Sequence, residues 1–304
     1  MYHQPVLLQE TIAGLINDPN GVYVDVTFGG GGHSREILNL LSTKGRLFGF
    51  DQDKDAANNV LQDSRFQFVQ SNFKNLKKFL QFYKAYPVDG ILGDLGVSSH
   101  QFDEPERGFS YRFDEPLDMR MDTSKGTTAA ELVNTCPSQK LAKLLFTFGE
   151  VQNAHKIAAL IEKARTSRTI ETTGQLAEAV QPILPKGKEN KALSQIFQAL
   201  RIEVNAEIEV LQALLEQSVE ALNTGGRIAI ISYHSLEDRL VKNFFKTGNA
   251  EGILHKDFYG NPLTPFKLIT KKAIIPTAQE IELNPRARSA KLRIAERRTE
   301  GLRD

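Results

Sequence analysis

Runs of β-branched and aromatic residues at 22–26, 47–50, 66–69, 90–94 and 227–232 read as buried strands. Between the first four, apolar residues recur at helical spacing over 34–41, 55–61 and 75–83, where Leu76, Phe79, Leu80 and Tyr83 share one face. Strand alternating with helix predicts an α/β fold with a parallel sheet covered on both sides. After residue 94 the alternation stops until GGRIAIIS at 225–232. Residues 101–122 are charged and aromatic without a period and read as a long loop, functional or mobile. Helical patterns follow over 139–148, 151–164 and 173–184, then a turn-rich hinge at 185–191 with three lysines, then a pattern running from 192 to 222. The simplest organisation is one α/β domain, residues 1–104 and 207–304, interrupted by a mainly helical insertion, 105–206, of ordinary small-domain size. A helix at 236–245 and extended segments at 266–273 and 290–295 complete a seven-stranded sheet with an antiparallel edge hairpin.

Parallel sheets bind ligands at the carboxyl ends of their strands. The first strand ends in Gly29-Gly30-Gly31-Gly32, where the backbone can turn sharply and approach a ligand closely. Asp51 ends the second strand, 22 residues after Gly29, near the spacing at which a carboxylate reaches the ribose of a nucleotide-like cofactor. Asn72-Phe73 and Asp94 follow the third and fourth strands. The dinucleotide fingerprint fails because Ser34 and Arg35 occupy the place of its third glycine, so no pyrophosphate is indicated. S-adenosylmethionine needs the turn and the ribose carboxylate but no phosphate cradle. A glycine-rich turn without a ligand is the alternative.

Composition narrows the setting. The chain has 304 residues, 40% hydrophobic and 25% charged, as in ordinary globular proteins. Its single cysteine, Cys136, can form neither an intrachain disulfide nor a cysteine-based zinc site, which fits a reducing cytoplasm. The N-terminus lacks a basic region followed by an apolar run, and no segment has the length of a membrane span, so neither secretion nor membrane insertion is expected. A formal net charge of +1 argues against a non-specific nucleic-acid coat but not against a local basic patch. The basic tail from Arg286 reads equally as a solvated end or an RNA contact.

The candidate chemistry is methyl transfer from a sulfonium to an amine, which needs positioning rather than a metal or a strong nucleophile. The histidines show no H-x-x-x-H spacing and no G-x-S-x-G elbow occurs. Asp94 is placed to accept a hydrogen bond from the cofactor or the target amine, or else to cap the next helix. Ser98 and Ser99 would orient a substrate or serve as turn residues. Tyr233 would stack on a base; His234 would hydrogen-bond one or receive a proton, with a structural histidine as the alternative. Phe109, Tyr111 and Phe113 are stacking candidates for a flipped-out base, or pack the insertion onto the sheet.

The blocks HQPVLL at 3–8, VTFGGGGHS at 26–34, DLGVSSHQFD at 94–103, ERGFS at 106–110, PLDMRMD at 116–122, FQALRIEVN at 197–205, SYHSLEDR at 232–239 and NPRARSAKLR at 284–293 resemble, in order, the signatures of the RsmH/MraW methyltransferase family. The resemblance runs from Tyr2 to about Arg298. It implies a class I, Rossmann-like S-adenosylmethionine-dependent methyltransferase sheet with a helical substrate-recognition insertion. It also implies S-adenosyl-L-methionine as donor and N4-methylation of one cytidine in the decoding region of 16S ribosomal RNA. The implied partner is that RNA within the small ribosomal subunit; the sequence gives no membrane partner and leaves a homodimer open. Cofactor contacts carry over onto Gly31, Gly32, His33, Asp51, Phe73, Asp94 and Gln101.

The chain departs from the family pattern at His100, where proline is usual, at Tyr233, where phenylalanine is usual, and at GEVQ, 149–152, in place of a more acidic pair. The D-P-P-Y-like motif of many amino-methyltransferases is replaced by Asp94-Leu95-Gly96-Val97, so catalytic roles cannot be transferred from it. The expected arrangement has Asp94 with Ser98-Ser99 holding the amine and Tyr233 or a loop aromatic stacking the base. The alternatives are a nicotinamide-dependent oxidoreductase, a small-molecule or other RNA methyltransferase, and a non-catalytic ribosome-assembly factor.

Overall fold

The structure, a computed structural model, describes residues 5–299. Tyr2, His3 and Gln4 of the N-terminal block, of which Tyr2 precedes HQPVLL, and the last five residues of the basic tail lie outside the described residues, as does the side chain of Ser99.

The chain runs through α1 (Leu8–Leu15), β1 (Val22–Asp25), α2 (Gly32–Leu40), β2 (Arg46–Asp51), β3 (Phe66–Gln70), α3 (Leu76–Phe82) and β4 (Val88–Asp94). There follow α4 (Ser99–Asp103), α5 (Ala129–Thr135), α6 (Ser138–Gly149), α7 (Ala154–Ser167), α8 (Thr173–Val180) and α9 (Glu189–Asn205). Then come α10 (Glu207–Ala221), β5 (Leu222–Ser232), α11 (Ser235–Thr247), β6 (Phe266–Leu268), α12 (Ala278–Leu283) and β7 (Lys291–Arg297). It divides into two compact units, Met1–Gly96 with Ile208–Asp304, and Val97–Glu207. The first junction falls at Gly96, eight residues before the expected 104, because α4 and the turn after it belong with the helices.

The first unit holds a seven-stranded sheet of order β3-β2-β1-β4-β5-β7-β6. The first five strands are parallel, and β7 runs antiparallel to both β5 and β6. This is the mostly parallel sheet with an antiparallel edge pair that the pattern predicts. Side chains alternate between two cores, as the period of two requires. Val24, Phe48, Ile91, Ile228 and Ile230 face Leu80, Leu214 and Phe244 on one side. Tyr23, Leu47, Leu92, Ala229 and Ile231 face Ile12, Leu15 and Ile37 on the other. Burial on both faces is why these strands read as near-continuous apolar runs.

The second unit packs α5 to α9 around Val133, Leu141, Leu145, Ile157, Ile161, Ile196 and Leu200. Its segment 101–122 is irregular beyond α4 and a short turn at Pro105–Arg107, yet it is pinned. The Arg107 guanidinium donates to the carbonyls of Arg120 and Met121, both at 3.1 Å, and the Asn205 amide bonds the backbone of Met119 and Met121.

Several expectations change. Residues 55–61 do not form an α-helix: Lys54–Asn59 is a 3₁₀ segment capped by the Asp53 carboxylate, which accepts from the Asp55 N–H. The pattern over 192–222 is two helices, interrupted at Ala206, whose φ is 49°. No glycine or proline marks that break, so periodicity alone runs through it. The segment 266–273 is strand only over Phe266–Leu268. Neither α1 nor α5 is singled out by the pattern. The second carries a sequence signature nonetheless, the Thr128/Glu131 capping box.

Candidate functional site

The carboxyl ends of β2, β1, β4 and β5 lie side by side in the first unit, and most of the candidate residues are there. After β1 the backbone enters the left-handed region at Gly29 (φ 49°) and Gly31 (φ 72°), which glycine tolerates without a Cβ penalty. The Gly29 N–H donates to Asp51 Oδ2 at 2.8 Å, and the Asp53 N–H donates to Asp51 Oδ1 at 2.8 Å. One carboxylate thereby ties the glycine turn to the end of β2. A Cβ on Gly31 would stand 2.9 Å from the Phe28 ring, and one on Gly32 would stand 2.3 Å from the Pro5 ring. The requirement for glycine at 31 and 32 thus comes from the protein's own packing, whereas a Cβ on Gly29 meets nothing nearer than 3.8 Å. Burial pushes the Asp51 carboxyl up to about 6, against the opposing effect of its two backbone donors.

A chain of buried and half-buried polar groups links β1, α2, β4 and the residue after β5. Asp25 accepts from the Ser34 hydroxyl at 2.7 Å and from the Thr27 N–H at 3.1 Å. The Thr27 hydroxyl accepts from the Asp94 N–H at 2.6 Å. His33 places Nε2 at 3.1 Å from the Val6 carbonyl. Because a carbonyl only accepts, Nε2 carries the proton; burial lowers the His33 pKa, so Nδ1 is left as a lone pair. That nitrogen lies 3.8 Å from Asp94 Oδ2. The other carboxylate oxygen, Oδ1, accepts from the Tyr233 hydroxyl at 2.8 Å. Burial drives the Asp94 carboxyl up to about 7; the Tyr233 hydrogen bond pulls it down and the Glu237 carboxylate pushes it up. Tyr233 itself is held well above its usual value by burial and by Asp94, so it stays protonated and donates.

Phe73 sits at the end of β3, half-buried against the sheet core, opening a short turn capped by Asn72. His234 caps α11 as part of a capping box, with Nδ1 facing the Glu237 N–H at 3.5 Å. Its Nε2 lies 3.2 Å from Glu237 Oε1 but outside hydrogen-bond geometry. The remaining candidates belong to the second unit. Ser98 caps α4: its hydroxyl accepts from the Gln101 N–H, and the Gln101 amide oxygen accepts from the Ser98 N–H, both at 3.1 Å. Phe109 is buried in that unit's core, and Tyr111 packs edge-on against Phe197 with its hydroxyl on the Asn190 carbonyl. Phe113 is 52% exposed, leaving its ring open to solvent.

Asp25, Thr27 and Ser34 escape the reading of the sequence. A signal exists for the first of them, since a carboxylate inside an apolar parallel strand must find buried partners.

A model of the MraW methylase family matches residues 1–298. The chain is 55% identical over 297 residues to the ribosomal RNA small subunit methyltransferase H of Bacteroides fragilis, covering 98% of each. It is 55% identical over 296 residues to the protein of the same name from Flavobacterium johnsoniae, covering 97% of this chain and 98% of the relative. Among solved structures, an rRNA methylase from Clostridium thermocellum aligns with a TM-score of 0.45 at 13% identity, over 97% of this chain and 94% of that one.

Proposed function

The chain belongs to the MraW methylase family, and from that premise we propose that it uses S-adenosyl-L-methionine to methylate the N4 amine of one cytidine in the decoding region of 16S ribosomal RNA. The observation that carries the reading is the Asp94–Tyr233 pair, set at adjoining strand ends in the same sheet as the Asp51-tethered glycine turn. The substrate is the RNA as assembled in the small ribosomal subunit, and the enzyme works in the cytoplasm. Among the described residues no helix is long and apolar enough to cross a membrane. None of the steps below requires a homodimer.

The residues present fit an adenosyl cofactor. A carboxylate offers about four lone-pair sites, and the Gly29 and Asp53 N–H groups use two of those on Asp51, which leaves acceptors for ribose hydroxyls. Gly31, Gly32 and His33 would form the wall at the end of β1, Phe73 an apolar side after β3, and Asp94 the wall beyond β4. When bound, S-adenosylmethionine supplies a methyl group activated by the positive charge on its sulfur.

Asp94 would hold the N4 amine in line with that methyl group. Methylation would leave the amine nitrogen positively charged, and Asp94 would take the proton that it then loses. A carboxyl titrating near 7 is matched to that task at neutral pH. Tyr233 fixes Oδ1, so Oδ2 is the oxygen that faces the amine. His33, kept neutral by burial, does not compete with the amine as a cation on that carboxylate. Ser98 and Gln101, engaged with one another, are given no step.

The test is incubation with labelled S-adenosylmethionine and unmodified small subunits, followed by nucleoside digestion and mass analysis. N4-methylcytidine, or its further-methylated form, is expected. Its absence, with cofactor binding intact, rejects the reading.

A further inference from the structure

Along the antiparallel edge of the sheet, α11 and the β6–β7 pair enclose a groove of about 410 Å³. Its lining includes Lys242, Lys246, Lys271, Lys272 and Arg293 over an apolar floor that contains Phe245, and no carboxylate lines it. We propose that this groove is a docking track for the phosphate backbone of the substrate RNA, separate from the methyl-transfer site; the inference rests on the RNA-methylating reading above.

Some cations of the first unit are paired: Arg227 with Glu296, Lys291 and Arg293 with Asp238. Among the described residues the ammonium groups of Lys242, Lys246, Lys271 and Lys272 have no carboxylate within 4 Å, and all four are exposed. Lys242 and Lys246 stand one helical turn apart, a like-charge spacing that weakens a helix. Lys271 and Lys272 bring two further positive charges to the same cavity from the segment after β6. An anion with several charges would offset that concentration of positive charge. Arg293 differs from the four lysines: Asp238 holds its Nε at 2.7 Å and so orients it toward the groove.

Lysines also guard edge strands against unwanted pairing. That role does not account for this set, because Lys271 and Lys272 lie beyond the strand and Lys242 and Lys246 lie on a helix. A phosphate backbone suits the geometry: it presents regularly spaced negative charges and sugars that can rest on apolar residues.

The test replaces Lys242, Lys246, Lys271 and Lys272 together by glutamine in the full chain. Binding of 16S ribosomal RNA and of unmodified small subunits is then measured across salt concentrations, beside methyl transfer. Each lost phosphate contact lowers the slope of log affinity against log salt by about 0.7 on single strands, so a fall of about 3 is expected. KM for the subunit should rise roughly tenfold or more at moderate salt, while kcat at saturation and S-adenosylmethionine affinity stay as in the parent protein. An unchanged salt slope in a variant that still binds the cofactor overturns the groove and leaves the enzymatic reading standing. A parent protein that neither binds nor methylates the RNA overturns the reading on which the groove depends.

Discussion

The hydroxyl of Tyr233 donates to Asp94 Oδ1 at 2.8 Å, joining the residue after β5 to the end of β4. The contact reaches the carboxylate proposed as proton acceptor. Removing it tests that role. In Tyr233→Phe the Asp94 pKa should climb from about 7, because the lost bond favoured the ionised form. A rise of about one unit, the equivalent of one hydrogen bond to a charged group, would cut turnover at pH 7 about fivefold and restore it near pH 9. A pH–rate profile of kcat reads this directly; an unshifted limb would separate Tyr233 from the titration of Asp94.

Asp94→Asn should lower turnover by roughly 10²–10⁴-fold, the usual weight of a positioned base, with cofactor affinity little changed. The parent enzyme should gain activity as pH rises through about 7, and the variant should show no such limb. Full turnover in Asp94→Ala with normal cofactor binding would remove Asp94 from the mechanism.

The same carboxylate should cost the fold stability. Its native pKa of about 7 lies above the ordinary 3.8, so between those values the native state binds more protons than the unfolded state. Stability from this group is therefore present in full below about pH 4 and is lost as pH rises through 7. At pH 8 Asp94→Asn should melt several degrees higher than the parent, a gain on the order of 2 kcal/mol that disappears in acid. Calorimetry at pH 8 and pH 4 compares the two; equal melting temperatures at pH 8 would contradict the assigned burial.

Asp51→Asn should weaken S-adenosylmethionine by roughly 10- to 100-fold, since an amide cannot accept from the Gly29 and Asp53 N–H groups and from ribose hydroxyls as a carboxylate does. In the parent protein cofactor affinity should fall as pH drops below about 6, where Asp51 takes a proton. Isothermal titration from pH 5 to pH 8 would show this slope in the parent and not in the variant.

Gly31→Ala and Gly187→Ala make a matched pair. Both glycines have positive φ, 72° and 76°, and each substitution should cost about 1–2 kcal/mol. A Cβ at 31 would also meet the Phe28 ring at 2.9 Å, whereas at 187 it meets nothing within 4 Å. Cofactor affinity should therefore drop only in the first variant. An equal drop in both would mean that general destabilisation, not the glycine turn, controls binding.

The order of strands and helices, the glycine turn and the acids at strand ends were legible in the linear chain because each rests on local physics. Apolar period distinguishes strand from helix, and a parallel sheet gathers the loops that follow its strands at one end. Asp51 and Asp94 could be picked out for that reason alone. Their neighbours could not. That Tyr233 bonds Asp94, that Asp25 is sealed by Ser34, and that Ser98 is taken up in capping with Gln101 depend on distances between segments far apart or on a choice between local partners. The raised pKa values of Asp51 and Asp94 likewise arise from burial, a property of the packed molecule and not of the residue type. The break at Ala206 left no trace in a pattern without glycine or proline. The lysine groove joins residues 242–246 to 271–272 and 293, whose charges look ordinary along the chain and become a site only when the fold brings them around one cavity. Local propensity and period thus determine which elements form, while tertiary packing decides which polar groups lose water and which charges face one another.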